Sequence, residues 1–209
     1  MSKKLFLLGA GGHASSLLDC VEMLGLKVDI IYDSNKNLRS IFSNYRIEEN
    51  DKEIANFPKD QVELINGLGR MPYTHTRKEL FNNYKSNGFS FKTIISPSAI
   101  ISKHSTIGEG VQILKGATIQ AGTKIGHNTI INTRSIVDHD CTIGDHCHIA
   151  TGATLSGDIT IKDNVFIGAG ATIINGITIG ENSIIAAGAT IYKDIPANSK
   201  VMGSKVSLL

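Results

Sequence analysis

From Ser98 onward, apolar positions recur at a single interval. Cut into sixes, the chain runs SAIISK, HSTIGE, GVQILK, GATIQA, GTKIGH, NTIINT, RSIVDH, DCTIGD, HCHIAT, GATLSG, DITIKD, NVFIGA, GATIIN, GITIGE, NSIIAA and GATIYK, without an insertion. The fourth place is Ile, Val or Leu in all sixteen hexads, and the second is always Ala, Ser, Thr, Val, Cys or Ile. This periodicity predicts a β-solenoid in which each short strand supplies one aliphatic side chain to an interior stack and one smaller side chain beside it. Each coil leans on its neighbours, so no repeat is stable alone.

Before Ser98 the pattern is different. "KKLFLLGAGGHASSLLDCVEML" predicts a buried strand, a glycine turn and a helix whose Leu17, Leu18, Val21 and Leu24 share a face. "KVDIIYD" predicts a second strand ending at Asp33, "QVELINGLG" a third, and "THTRKELFNNYKSNG" a helix stopped near Gly88. Strands alternating with helices imply a small parallel sheet of about three strands, half of a dinucleotide-binding unit. The chain is therefore expected to divide into an α/β domain, residues 1–97, and a β-helix, residues 98–209.

The hexads resemble the left-handed β-helix of hexapeptide acyltransferases, in which three hexads make one triangular turn. The resemblance implies the left hand and a little over five turns. Residues 18 apart would then stack in register on successive coils, about 4.8 Å from one another.

Composition narrows the function classes. Lys and Arg outnumber Asp and Glu by 13 to 11 up to Pro97 and equal them at 8 each afterwards, so no basic arm points to nucleic acid. The opening "MSKKLFLL" is broken by "GAGGH", too soon for a signal peptide, and no run is long enough to span a membrane. Three cysteines without framework spacing fit a reducing cytoplasm.

Two stretches carry candidate chemistry. "GAGGHA", Gly9 to Ala14, lies between strand and helix, where backbone N–H groups and a helix N-terminus can hold a phosphate; Asp33 lies where an acid can meet a ribose hydroxyl. Ala14 replaces the third glycine of the dinucleotide fingerprint, and half a fold suits a nucleotide-linked substrate better than NAD. A packing turn is the alternative. The second stretch, "IVDHDCTIGDHCHIAT", 136–151, contains every usual zinc ligand type. The hexad phase puts Cys141 and Cys147 in the inward second place, as small core residues. It puts His139 in the sixth place, at a corner and outward, with Gly157 in register one coil later. A base near neutral pKa beside an exposed backbone N–H suits acyl transfer, and Asp140 would raise the basicity of the ring. A solvated corner histidine and a metal site are the alternatives.

"LLGAGGHA", "IIYDSN", "INTRSIVDHDCTIG", "HCHIATGATLSGD" and "IPANSKVMGSK" together resemble the bacterial sialic-acid O-acetyltransferase-like family, which includes N-acetyltransferases of nucleotide-linked 4-amino-4,6-dideoxy sugars. The resemblance implies an acetyl-CoA-dependent enzyme of surface glycan biosynthesis, a cytoplasmic homotrimer with active sites between subunits and no metal. It implies His139 as base, Asp140 as its support, Asn132 as a residue holding the base, and Gly157 as the oxyanion donor. It implies His148, Gly168, Ala169, Ala186, Ala187 and Gly188 along acetyl-CoA, and Gly11, Gly12, His13, Asp33, Ser34, Gly69 and Arg70 around the sugar nucleotide. Two departures stand out: Asp33-Ser34 where some relatives have two acids, and a closing "GSK" without the proline of "GxPAK". The carrier, UDP, dTDP, GDP or CMP, stays open, as does the role of His146. O-acetylation of a sialic-acid-like sugar and zinc-dependent hydration of carbon dioxide are the other activities on this scaffold.

Overall fold

The computed structural model describes residues 3–35 and 37–203. The closing "GSK" therefore lies mostly outside the described residues. The backbone divides into two units, residues 1–97 and 98–209.

The first unit is a parallel sheet of five strands: β1 (Lys4–Leu8), β2 (Ile30–Tyr32), β3 (Ile47–Glu48), β4 (Val62–Asn66) and β5 (Ser90–Phe91), in the order β3-β2-β1-β4-β5. The three expected strands form its middle. The two edge strands are two residues each, too short to show an alternating pattern. Helix α1 (Gly12–Met23) follows the glycine turn and α2 (Thr76–Ser86) follows β4. Of the expected apolar stripe, Leu17, Leu18 and Val21 are buried, but Leu24 is 39% exposed because the helix ends one residue before it.

Alternation along the strands sends Phe6, Leu8, Ile30, Tyr32 and Leu64 into one core with Phe81, Tyr84, Phe89 and Phe91. Edge-to-face pairs, Phe6 with Tyr32 and Tyr84 with Phe89, fix the geometry of that layer. Chain order reverses across β1, with β2 on one side and β4 on the other, so the C-terminal ends of β1 and β4 frame a crevice.

The second unit is a parallel β-helix of the left-handed type. From Ile100–Ile101 to Thr172–Ile173 each strand is the third and fourth place of a hexad and pairs with the strand 18 residues on: Ile100 with Thr118, Thr118 with Ile136, Ile136 with Thr154. Three sheets result, one for each face of a triangular prism. From Val111 to Ile191 every second-place and fourth-place residue is buried. Each aliphatic side chain so buried stabilises the coil by ~1.5–3 kcal/mol relative to exposure, enough to hold the phase against slippage.

The small second place has its own logic. Thr123 and Thr129 Oγ1 donate to the carbonyls of Asp138 and Gly144, and Cys141 and Cys147 Sγ to those of Ser156 and Lys162, always 15 residues on. The cysteines thus do the work of threonine in the core.

Corners are made by the first place of each hexad. From Gly110 to Gly188 every first-place residue has a positive φ, and Gly, Asn or Asp fill all of these positions except Arg134 and His146. One corner column carries a polar ladder: Asn164 Nδ2 donates to Asn182 Oδ1 at 2.8 Å, and Asn182 Nδ2 to Asn198 Oδ1 at 3.3 Å. On the same column Asn128 Nδ2 donates to His146 Nδ1 at 3.0 Å. His146, without a role in the sequence, is a rung of this ladder.

The register changes at the last coil. Ile184 pairs with Lys200 and Ile179 with Ile195, both 16 apart rather than 18, so this coil is shorter by two residues.

Candidate active site

His139 and Asp140 form one corner. Asp140 is a first-place residue at φ 58, and its carboxylate lies over the Gly122 corner one coil back, where a Cβ would come within 2.2 Å of Oδ1. From there Asp140 Oδ2 accepts from His139 Nδ1 at 2.9 Å. A carboxylate only accepts, so Nδ1 carries the proton and Nε2 presents a lone pair. The ring is 60% exposed. Its pKa is raised above that of free imidazole, first by the Asp140 hydrogen bond, which outweighs an opposing desolvation, and further by the charges of Asp138, Asp140 and Asp158.

Gly157 sits directly against this imidazole. A Cβ built there would lie 2.4 Å from both Cε1 and Nε2 of His139, so glycine is the residue that lets the ring stay. Coil-to-coil backbone bonds use the N–H of third, fifth and first places, as in Thr118 to Ser135, Asp138 to Leu155 and Asp140 to Ala121. Sixth-place amides stand outside that scheme, and several find side chains instead: His127 Nδ1 for Glu109, Asp145 Oδ1 for His127, Asp138 Oδ1 for His139. At Gly157, no such side-chain acceptor occurs among the described residues.

The expected acetyl-CoA residues occupy a different edge of the prism. His148 starts the strand His148–Ile149, which stacks on Ile130–Ile131, whereas His139 follows the strand Ile136–Val137 of another sheet. Gly168 and Ala169, and Ala186, Ala187 and Gly188, form successive turns of the corner that ends the His148 face. A Cβ on Gly168 would meet Ala187 N at 2.4 Å, so the smallness here begins as a demand of coil stacking.

Asn132 belongs with this second edge, away from the His139 of its own chain. Its Oδ1 accepts from Thr133 N at 2.7 Å, which turns Nδ2 toward His148 Nε2 at 3.1 Å. The seven-residue separation from His139 carries Asn132 to the preceding corner of the coil, out of the base's reach within one subunit. His148 is 7% exposed and packs edge-to-face on Phe166. With Nε2 accepting, a neutral His148 keeps its proton on Nδ1.

In the first unit the expected residues gather at the crevice. Gly11 is the N-cap of α1, with no side-chain cap, and Gly12 opens the helix, so its first amides face the crevice. A Cβ on Gly69 would press on His13 Cβ at 3.1 Å, which brings the loop after β4 against the glycine turn. Asp33 is more committed than the sequence suggests: Oδ2 accepts from Ala10 N at 2.6 Å and Oδ1 from Asn35 N at 2.7 Å. It therefore shapes the turn. Asp33 and Ser34 line a cavity of about 220 Å³ with Gly9, Tyr32, Glu49, Asp51 and Leu68. A larger cavity of about 400 Å³ by α2 shares Asp51 but holds none of the expected site residues.

Sequence reasoning missed Arg39. Its guanidinium comes to 3.5 Å of where a Gly12 Cβ would be, a cation laid along the opening of α1. It stands in the irregular stretch after β2, where no periodicity marks it. In the zinc-like run, Cys141 and Cys147 are interior, and among the described residues no three His, Cys, Asp or Glu side chains are grouped to hold an ion. Among the described residues, no helix is long and apolar enough to cross a membrane.

Known proteins match the chain along its length. Residues 4–84 match the PglD N-terminal domain, 86–171 the GMPPB C-terminal domain, and 158–193 the bacterial transferase hexapeptide repeat. The acetyltransferase domain of PglB from Neisseria gonorrhoeae is 29% identical, with a TM-score of 0.84 over 93% of this chain and 94% of that one. PerB from Caulobacter crescentus, solved in complex with CoA and GDP-perosamine, is 30% identical, with a TM-score of 0.83 over 93% and 91%. WeeI from Acinetobacter baumannii shares the fold at 24% identity, with a TM-score of 0.83 over 97% of each chain.

Proposed function

The chain belongs to the left-handed β-helix acyltransferases that join a PglD-type N-terminal domain to hexapeptide repeats, and on that premise we propose that it transfers the acetyl group of acetyl-CoA to the 4-amino group of a nucleotide-linked 4-amino-4,6-dideoxy sugar. The observation that carries this reading is the contact of the His139 imidazole, held by Asp140, with the bare face of Gly157.

The amine attacks the thioester carbonyl as His139 Nε2 takes its proton, and the Gly157 N–H donates to the oxyanion of the tetrahedral intermediate. Collapse breaks the C–S bond, and the imidazolium returns the proton to the CoA thiolate. Asp140 holds the ring in the required tautomer and favours its charged form. The alternative acceptor, a hydroxyl of a sialic-acid-like sugar, would use the same base and donor; the likeness to an enzyme solved with an amino-sugar nucleotide supports the amine.

The division of the residues over two edges supports a homotrimer. One edge carries His139, Asp140 and Gly157, the other Asn132, His148 and the small residues from Gly168 to Gly188. Packing one subunit's first edge against the next subunit's second edge assembles a complete site, with His148 beside acetyl-CoA and the small residues along its pantetheine arm. In the first unit, the α1 amides, His13, Gly69 and Arg70 hold the nucleotide diphosphate, and Asp33 and Ser34 border its nucleoside. Surface glycan assembly in the cytoplasm is the setting this substrate class suits.

Thiol release from acetyl-CoA with GDP-, UDP-, dTDP- and CMP-linked 4-amino sugars, with their 4-hydroxy analogues alongside, tests the reading. Turnover of an amino sugar is expected, with His139→Ala losing a factor of about 10²–10⁴ while still binding CoA. Turnover of the hydroxy sugar alone would move the assignment to O-acetylation, and full activity of His139→Ala would remove the base from the mechanism.

A further inference from the structure

Two arginines lie almost fully inside the first unit, where the chain leaves β4. Arg77, on α2, is 3% exposed and Arg70 is 8% exposed. Arg77 Nη1 donates to the carbonyls of Asn66 and Leu68 at 2.9 and 2.6 Å. The network closes on itself, because Asn66 Nδ2 donates to the Arg77 carbonyl at 3.0 Å and Asn66 Oδ1 accepts from Leu68 N at 3.2 Å. One guanidinium thereby fixes the last residue of β4 and the loop that follows. That loop wedges Gly67 against the carbonyls of Leu8 and Gly9, lines the crevice with Leu68, and sets Gly69 on His13.

Both influences on Arg77 disfavour its charge: burial first, then the like charge of Arg70. Two carbonyls need donors, but they do not need a full cation with a second one beside it, and such charge is costly to bury. An anion at the ends of β1 and β4 would relieve that cost, and it would be held where the α1 amides already point.

We propose that Arg77 is the positioning residue of the nucleotide-diphosphate site, locking the 66–70 loop so that Arg70 meets the diphosphate and lending its own buried charge to that side of the crevice. The proposal rests on the nucleotide-sugar reading above and gives it a residue acting from behind the contact surface.

The test uses the full-length enzyme and two variants. In Arg77→Lys the charge stays but the fork that spans two carbonyls is lost. Its KM for the nucleotide sugar is expected to rise on the order of ten- to a hundredfold, the worth of a hydrogen bond to a charged group. The Kd of the free nucleoside diphosphate should rise by the same factor, with kcat and the KM of acetyl-CoA unchanged. Arg70→Met keeps the proposal testable should Arg77→Lys fold poorly. It should weaken nucleotide binding to a similar degree, with kcat and the KM of acetyl-CoA unchanged. In the double variant the two effects on KM should not add. A lowered Tm with both KM values unmoved, equal rises in the two KM values, or unimpaired nucleotide binding in Arg70→Met would each overturn the proposal. Wild-type enzyme that binds no nucleoside diphosphate would instead overturn the substrate reading itself.

Discussion

Replacing Gly157 with alanine isolates the chemistry from the fold. The new methyl carbon would stand 2.4 Å from His139 Cε1 and Nε2, and ordinary van der Waals contact begins at 3.4 Å, so the ring must retreat by about 1 Å. The backbone itself accepts alanine, since Gly157 is not among the positive-φ residues of this chain. The ring is 60% exposed and can swing outward without disturbing the core, so stability should stay within about 0.5 kcal/mol of wild type. A displaced ring, however, gives up the 2.9 Å bond that sets its tautomer and moves Nε2 off the line of attack. Misplacement on this scale costs on the order of a hundredfold in rate, about 2.7 kcal/mol of transition-state stabilisation. Continuous thiol release at saturating acetyl-CoA gives kcat, product inhibition by CoA reports the donor site, and thermal unfolding gives the stability change. The expected pattern is a large loss in kcat with CoA binding and Tm nearly unchanged. A variant turning over within twofold of wild type would refute the role of this contact, and a fall in Tm matching the loss of activity would show that Gly157 serves the coil alone.

Three further outcomes follow from the same geometry. His139 must be deprotonated to act, and its pKa is raised chiefly by Asp140, so the acid limb of kcat/KM should lie above that of free imidazole, about 6.5. Asp140→Asn keeps a residue that tolerates φ 58 but drops the charge, so the limb should move to lower pH and the plateau should fall; a limb that stays put contradicts the pairing. His146→Asn should leave turnover unchanged and raise stability by up to about 1 kcal/mol, because it places the ladder's usual side chain opposite Asn128; a large loss of activity would give His146 a role outside the ladder. Cys147→Thr should fold and work normally, with stability altered by at most about 1 kcal/mol, since Thr129 makes the equivalent bond one coil earlier; elemental analysis finding stoichiometric zinc in the wild type and none in the variant would restore the metal reading.

The β-helix was the most legible part of the molecule because its core is one-dimensional. One aliphatic place per hexad specifies both phase and face, and the burial of Cys141 and Cys147 followed from counting alone. The corners are equally legible in the Gly, Asn and Asp of the first place, and His146, at φ 58, departs from that composition while keeping its geometry. The pairing of Asn132 with His148 is hidden in the sequence, because nearness along the chain to His139 means little in a coil that turns at every hexad. The first unit was harder. Strands of two residues leave no period to detect, and the approach of Gly69 to His13 joins segments more than fifty residues apart in the chain. Arg39 and Arg77 act through such approaches, so neither announces itself locally.

Stacking at 18 residues also limits how such a chain can change in length. Adding one hexad between His139 and Gly157 would rotate everything after it by a third of a turn, delivering Gly157 to a neighbouring edge and leaving the imidazole over an unrelated residue. A whole coil added before Gly116 would leave every pairing around His139 as it is. Length variation near the site is thus restricted to complete turns, while the last coil, already closing at 16, is where smaller steps are absorbed.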